Sequence, residues 1–264
     1  MPHLPPVTPA PTAASLFSQA PSAMSPAIQV PTPSGPRNGP DIPGAGKFKV
    51  PKLRLELRDL AHPGSAVFLS SINAAECLAK ACQHVLALLY ESPTCPTTTL
   101  PTTRSVTVVL RSMSGVAYTT GSDLDSDHKE IHFSTDYIAN IHPVARRTDE
   151  INGVLTHELV HCLQYNGHGT CPGGLIEGVA DWVRLHCLLS PPHWKRDGNG
   201  KWDAGYQNTA YFLDYLEERF GKGTIRRLNE KLRIQRYEEK PFWTELVGRP
   251  VEQLWDDYKQ KLES

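Results

Sequence analysis

No stretch of about eighteen or more apolar residues runs through this sequence. The longest candidate, Cys77 to Tyr90, is broken by Lys80, Gln83 and His84, which excludes a membrane-spanning helix there. An excess of one charge is missing too. Lys and Arg number 27 against 28 Asp and Glu, a formal net charge of −1 with no Lys/Arg block, so neither nucleic acid nor a membrane surface is expected as a partner. There is no N-x-S/T sequon, and the first residues lack a positively charged segment followed by an apolar one. With no secretory signal recognised, a cytoplasmic location is the default expectation. No C-x-x-C pair occurs among Cys77, Cys82, Cys95, Cys162, Cys171 and Cys187, so free buried thiols are expected rather than a thiolate metal site or a disulfide framework.

What is present suits a folded domain with a tail. Hydrophobic residues make up 39% of the 264, with five Trp and nine Tyr, enough to fill a core. Residues 1–46 hold twelve of the 23 prolines among Ser, Thr and Ala, with no apolar periodicity to offset the entropy of ordering. They are expected to be a disordered tail, and residues 47–264 a single domain, acting as a monomer.

The fold class expected is α+β. Leu53, Leu55 and Leu57 alternate with Arg54, Glu56 and Arg58, the period of a half-buried strand. From Ile72 to Tyr90 the apolar residues recur at steps of three and four, which predicts a helix ending before Ser92-Pro93. The β-branched run within Arg104 to Arg111 predicts a strand covered on both faces. Gly115 to Thr120 and Glu130 to Ser134 read as two more strands joined by a polar loop over Gly121 to His128. A small sheet with helices packed on it follows. Leu246, Val251, Leu254, Trp255, Tyr258 and Leu262 read as one amphipathic helix in a helical C-terminal part.

The chemistry is concentrated in Thr156-His157-Glu158-Leu159-Val160-His161, an H-E-x-x-H match within a segment that reads as a helix starting at a Thr148 cap and stopping at Asn166-Gly167. Helical positions i and i+4 share a face, so His157 and His161 can aim two imidazole nitrogens at one point, with Glu158 beside it. That is the arrangement of a zinc peptidase: two ligands, and a carboxylate free to act as general base on an activated water. A catalytic zinc takes a third protein ligand, and two residues compete for the place. His168 lies seven residues after His161, one register away from the H-E-x-x-H-x-x-G-x-x-H pattern, whose Gly and His positions hold Gln164 and Gly167. Glu177, on a second predicted helix from Leu175 to Leu189, is favoured, because Asp181 one turn later can accept the second imidazole hydrogen of a ligand His and fix its tautomer.

The order of these residues resembles the plant basic secretory proteins and their fungal and bacterial relatives. The resemblance is carried by Gly153-Val154-Leu155-Thr156-His157-Glu158-Leu159-Val160-His161, Pro172-Gly173-Gly174-Leu175-Ile176-Glu177-Gly178-Val179-Ala180-Asp181 and Val183-Arg184-Leu185. It continues through Trp202-Asp203, Gly205-Tyr206, Thr209-Ala210 and Phe212-Leu213-Asp214-Tyr215 to Gln253-Leu254-Trp255-Asp256-Asp257-Tyr258, spanning roughly residues 48–262. What it implies is a zincin-like metallopeptidase fold, a twisted mixed sheet over an H-E-x-x-H helix, with a gluzincin-like zinc site of His157, His161 and Glu177. In plants it also implies the cell exterior and defence. This chain is not basic and shows no signal, so secretion stays open and defence is not carried over.

Two further roles belong to the expected mechanism on a peptide or protein substrate. A donor to the developing oxyanion is expected from Tyr206, which opens a helix after Gly205, with His186 and His193 as fallbacks. An extended substrate is expected to pair with an edge strand, with Val116, Ala117 and Tyr118 lining the cleft. The competing expectation is a zinc-bound, non-catalytic defence or binding protein that uses the cleft for recognition; the presence of Glu158, which metal binding alone does not require, favours the enzyme.

Overall fold

Alternation of Leu53, Leu55 and Leu57 with charged neighbours produces the first described strand, β1 (Lys52–Leu57), in a computed structural model that describes residues 47–264. The tail expected over 1–46 lies outside the described residues. Helix α1 (Pro63–Ser71) follows, which the sequence pattern did not suggest because its Gly and Ser residues mask any apolar stripe. Its start is nonetheless well formed: Pro63 occupies the first turn, where no N–H is needed, and Nδ1 of His62 accepts the Gly64 N–H at 3.0 Å. Asn73 then caps α2 (Ala74–Leu89), two residues later than the apolar period alone indicated. Strands β2 (Ser105–Arg111), β3 (Ala117–Ser122) and β4 (Asp125–Ser134) complete a sheet of order β1-β2-β4-β3. The first two pairings are parallel and the last antiparallel, so the sheet is mixed and β3 stands at its edge.

The β3–β4 hairpin corrects the loop expected over Gly121 to His128. Both strands extend into it and only Asp123 and Leu124 turn, because Asp125 to Lys129 can alternate along a half-solvated ribbon without needing an apolar pattern. In register, Leu55, Val108, Ile131 and Thr119 form one row across the sheet, and Glu56, Val109, His132 and Tyr118 the next row on the opposite face. The first row, with Val106, Leu110 and Phe133, faces the helices.

Beyond the short α3 (Thr135–Ala139) and one 3-10 turn at Val144–Arg146 lies α4 (Arg147–Leu163), the helix that carries both motif histidines. Asp149 and Glu150 occupy its first turn, at the positive end of the dipole. Thr148 does not cap it: its hydroxyl donates to the Ser71 carbonyl at 3.0 Å, and the helix instead grows out of the 3-10 turn. The helix also stops earlier than expected, at Leu163, where Gln164 turns extended; Gly167, with φ of 62°, reverses the chain afterwards.

The remaining helices are α5 (Gly173–His186), α6 (Tyr206–Phe220), α7 (Thr224–Ile234), α8 (Glu239–Val247) and α9 (Val251–Glu263). The single C-terminal helix expected from Leu246 to Leu262 is two helices, because Gly248 adopts a left-handed φ of 79° and Pro250 precedes α9. They close over an aromatic cluster in which Trp255, Tyr258 and Trp243 stand 5.3, 5.9 and 6.3 Å from Phe212.

The α5–α6 crossing depends on missing side chains. A Cβ on Gly174 would come within 1.7 Å of the Asp203 carbonyl oxygen, and one on Gly178 within 2.2 Å of Thr209 Cγ2. Thr209 cannot swing aside, since its hydroxyl donates to the Trp202 carbonyl at 2.7 Å and accepts the Gly205 N–H at 2.9 Å. Overpacking of this kind costs about 1–3 kcal/mol, worth roughly 2–4 °C per kcal/mol in a domain of this size. Gly178→Ala is therefore expected to lower the thermal midpoint by several degrees, and Gly174→Ala, which meets backbone, by more. Calorimetry of the two variants checks both the sign and the order.

Candidate metal and active site

Mid-helix placement on α4 buries His157 and Glu158 and half-buries His161. The two rings meet edge to face, with centroids 4.8 Å apart and their Nε2 atoms 3.1 Å apart. From α5, Glu177 brings Oε2 to 3.1 Å from His157 Nε2 and Oε1 to 3.6 Å from His161 Nε2. Among the described residues, His157, His161 and Glu177 are the group of three able to converge on one ion. Zinc bonds of about 2.0–2.2 Å in tetrahedral directions set ligand atoms roughly 3.4 Å apart, close to the 3.1 Å between the histidine nitrogens and to the 3.1 and 3.6 Å from each of them to one or the other Glu177 oxygen. A His-His-Glu donor set also suits zinc chemically.

The surroundings of these atoms favour positive charge at the point between them. Asp181, with a side chain only 3% exposed, holds its Oδ1 2.7 Å from His157 Nδ1. A carboxylate accepts, so that hydrogen sits on Nδ1 and leaves Nε2 directed at Glu177 and His161. Burial, the largest single influence on His157, works against a charged ring. The Asp181 and Glu177 hydrogen bonds and the nearby carboxylate charges outweigh it and lift the pKa to about 9. For Glu177 burial pushes upward, yet the hydrogen bonds and charges of His157 and His161 hold the carboxyl well below its ordinary range. Gln164, turned out at the end of α4, places its carboxamide nitrogen 2.7 Å from His161 Nδ1. Sequence spacing gave no hint of that contact, since it arises only once the helix has ended.

Glu158 is adjacent to the ligand group without belonging to it. Its Oε2 accepts a hydrogen bond of 2.6 Å from the Thr119 hydroxyl on β3. A cleft of about 990 Å³ opens over these residues, lined on one side by Val116, Ala117, Tyr118 and Thr119 and on the other by Gly205, Tyr206 and Asn208. Tyr118 reaches the cleft at its rim, while its ring stacks on His132 at 4.7 Å, on the sheet face away from α4. Thr119 points the other way, toward α4, on the same face of β3 as Ala117.

Tyr206 stands with its ring nearly parallel to that of His157, 6.4 Å away, and is 60% exposed. It is one of three non-glycine residues with positive φ among the described residues, here 49°, a conformation that clusters at functional sites. The Glu177 carboxylate is the first cause, and burial the second, of a phenol pKa raised above its usual value, so the hydroxyl stays a donor. His193 also lines the cleft. His186 does not; it pairs with Asp214 at 3.0 Å on the far side of α5. His168, exposed at a left-handed φ of 55° in the turn after α4, is not brought to the other ligands. All six cysteines are unpaired, four of them buried.

Comparison with family models places the chain among the peptidases. It belongs to the BSP family, described as peptidases of plants and bacteria, whose model matches residues 50–258. The match bears out the resemblance to the basic secretory proteins drawn from the motif residues. No curated protein and no solved structure matches the chain.

Proposed function

We propose that this chain is a zinc-dependent peptidase of zincin-like fold, with His157, His161 and Glu177 holding the metal and Glu158 serving as general base. The observation that carries the reading is the convergence of His157, His161 and Glu177, with ligand atoms within 4.8 Å of one another, beside a buried carboxylate that is not one of them. Zinc held there supplies Lewis acidity, lowering the pKa of a water and polarising the scissile carbonyl. Glu158 takes the proton of the attacking water and can return it to the leaving amine. Tyr206, protonated and facing the metal point across His157, donates to the oxygen on which negative charge develops. The peptide lies along β3, whose outer edge no other described strand occupies, beside Val116, Ala117 and Tyr118.

Asp181 positions His157 from behind, so Asp181→Ala is expected to weaken zinc affinity or turnover by about 10 to 100 fold rather than abolish them. Competition against a chelator of known affinity, with the folded state checked by circular dichroism, reads this directly. The function itself is tested by metal analysis of the purified chain together with cleavage of a broad peptide library. Zinc bound with cleavage supports the peptidase; zinc bound without cleavage, in a library verified with a known protease, replaces it with a metal-bearing binding protein.

A further inference from the structure

The general base does not stand alone, because a residue from the edge strand holds it. β3 pairs Thr119 with Ile131 and Ala117 with Phe133, and both partners are wholly buried toward α4, so Thr119 faces that helix. Its Oγ lies 2.6 Å from Glu158 Oε2 and 3.1 Å from the Glu158 carbonyl oxygen. A hydroxyl has one hydrogen to give, and the carboxylate is both the nearer and the charged acceptor; 2.6 Å is the length of a charge-assisted O–H···O⁻ bond. The helical backbone fixes one end of the Glu158 side chain and Thr119 fixes the other.

From this geometry we infer that Thr119 is the positioning residue of the reaction. The inference rests on the hydrolytic role proposed for Glu158. With Oε2 engaged, Oε1 keeps its lone pairs for the proton of the attacking water. The Thr119 hydroxyl neither gains nor loses a proton in the step; it selects which carboxylate oxygen does the work and where that oxygen stands. The same strand lines the cleft through Ala117 and Thr119 itself, so substrate docking and base placement share one rigid element. A substrate paired to β3 is thereby registered against Glu158 as well as against the metal ligands.

The test compares zinc-loaded wild type, Thr119→Val and Thr119→Ser in the full chain. Val matches Thr in shape and lacks the donor, whereas Ser keeps the donor and loses a methyl group. Misplacing a catalytic group by about 1 Å costs on the order of 100 fold, so Thr119→Val is expected to lower kcat by roughly 10 to 100 fold with KM nearly unchanged, and Thr119→Ser to restore most of it. Zinc content should match wild type in both, while the thermal midpoint should hold in Thr119→Ser and fall by several degrees in Thr119→Val, which leaves a buried carboxylate without its donor. Crystal structures give a readout independent of turnover: the Glu158 carboxylate should hold one position in wild type and Thr119→Ser and leave it in Thr119→Val. An active wild type with a fully active Thr119→Val, an unmoved carboxylate, or a Ser variant no better than Val overturns the inference alone. A wild type that cleaves nothing overturns the hydrolytic reading and this inference with it.

Discussion

Glu158→Gln is expected to keep the zinc stoichiometry of wild type and to lose turnover by about 100 to 10,000 fold or more on any peptide the wild type cleaves. The substitution changes little in volume, and Gln can still accept the Thr119 hydrogen bond through its carbonyl oxygen, so the buried position remains filled and satisfied. The ligand atoms of His157, His161 and Glu177 are untouched, because Glu158 is not one of the group that converges on the ion. What disappears is a base: a carboxamide cannot take a proton from water near neutral pH. Metal analysis paired with kinetic constants separates binding from chemistry in one comparison. A variant that cleaves within a few fold of wild type would remove Glu158 from the mechanism.

Glu177→Ala is expected to be as severe for a different reason, releasing the metal and with it all hydrolysis. A zinc left with two imidazoles loses both a bond and the charge that balances it. In the metal-free chain, the same change leaves two ring nitrogens 3.1 Å apart with no carboxylate between them. His168→Ala is the matched control, since His168 stands exposed in a turn away from the site, and its metal content should equal that of wild type. Inductively coupled plasma analysis after gel filtration distinguishes the two. Loss of zinc in His168→Ala with retention in Glu177→Ala would reverse the assignment.

The residues that the structure gathers at the site were legible where one helix sets their spacing. His157 and His161 need only the pitch of α4, and Glu177 and Asp181 only that of α5. The choice of Glu177 over His168 followed from register and from the spacing to Asp181, and of those two candidates the structure brings Glu177 to the histidines. Contacts that depend on how separate elements meet were not legible. Gln164 reaches His161 only because α4 stops before it, and Thr119 reaches Glu158 only because β3 lies against α4. Among the elements, α1 was missed because a helix can be specified by Pro63 and a His62 cap with hardly any apolar stripe. The hairpin was drawn too short because a solvated ribbon needs no hydrophobic pattern, and the C-terminal helix too long because apolar spacing continues across the break at Gly248 to Pro250.

The bare surface of α5 at Gly174 and Gly178 also bears on how the chain is made. Synthesis runs from the amino terminus, so His157, Glu158, His161 and Glu177 have all left the ribosome once Asp181 has. The segment that seats against those two glycines, Asp203 to Thr209, comes later still. A nascent chain stopped before Tyr206 carries His157 and His161 on α4 and Glu177 on α5, with the face of α5 that meets α6 uncovered. The wall of the cleft that Gly205, Tyr206 and Asn208 supply therefore arrives late in translation, after the side chains it comes to cover.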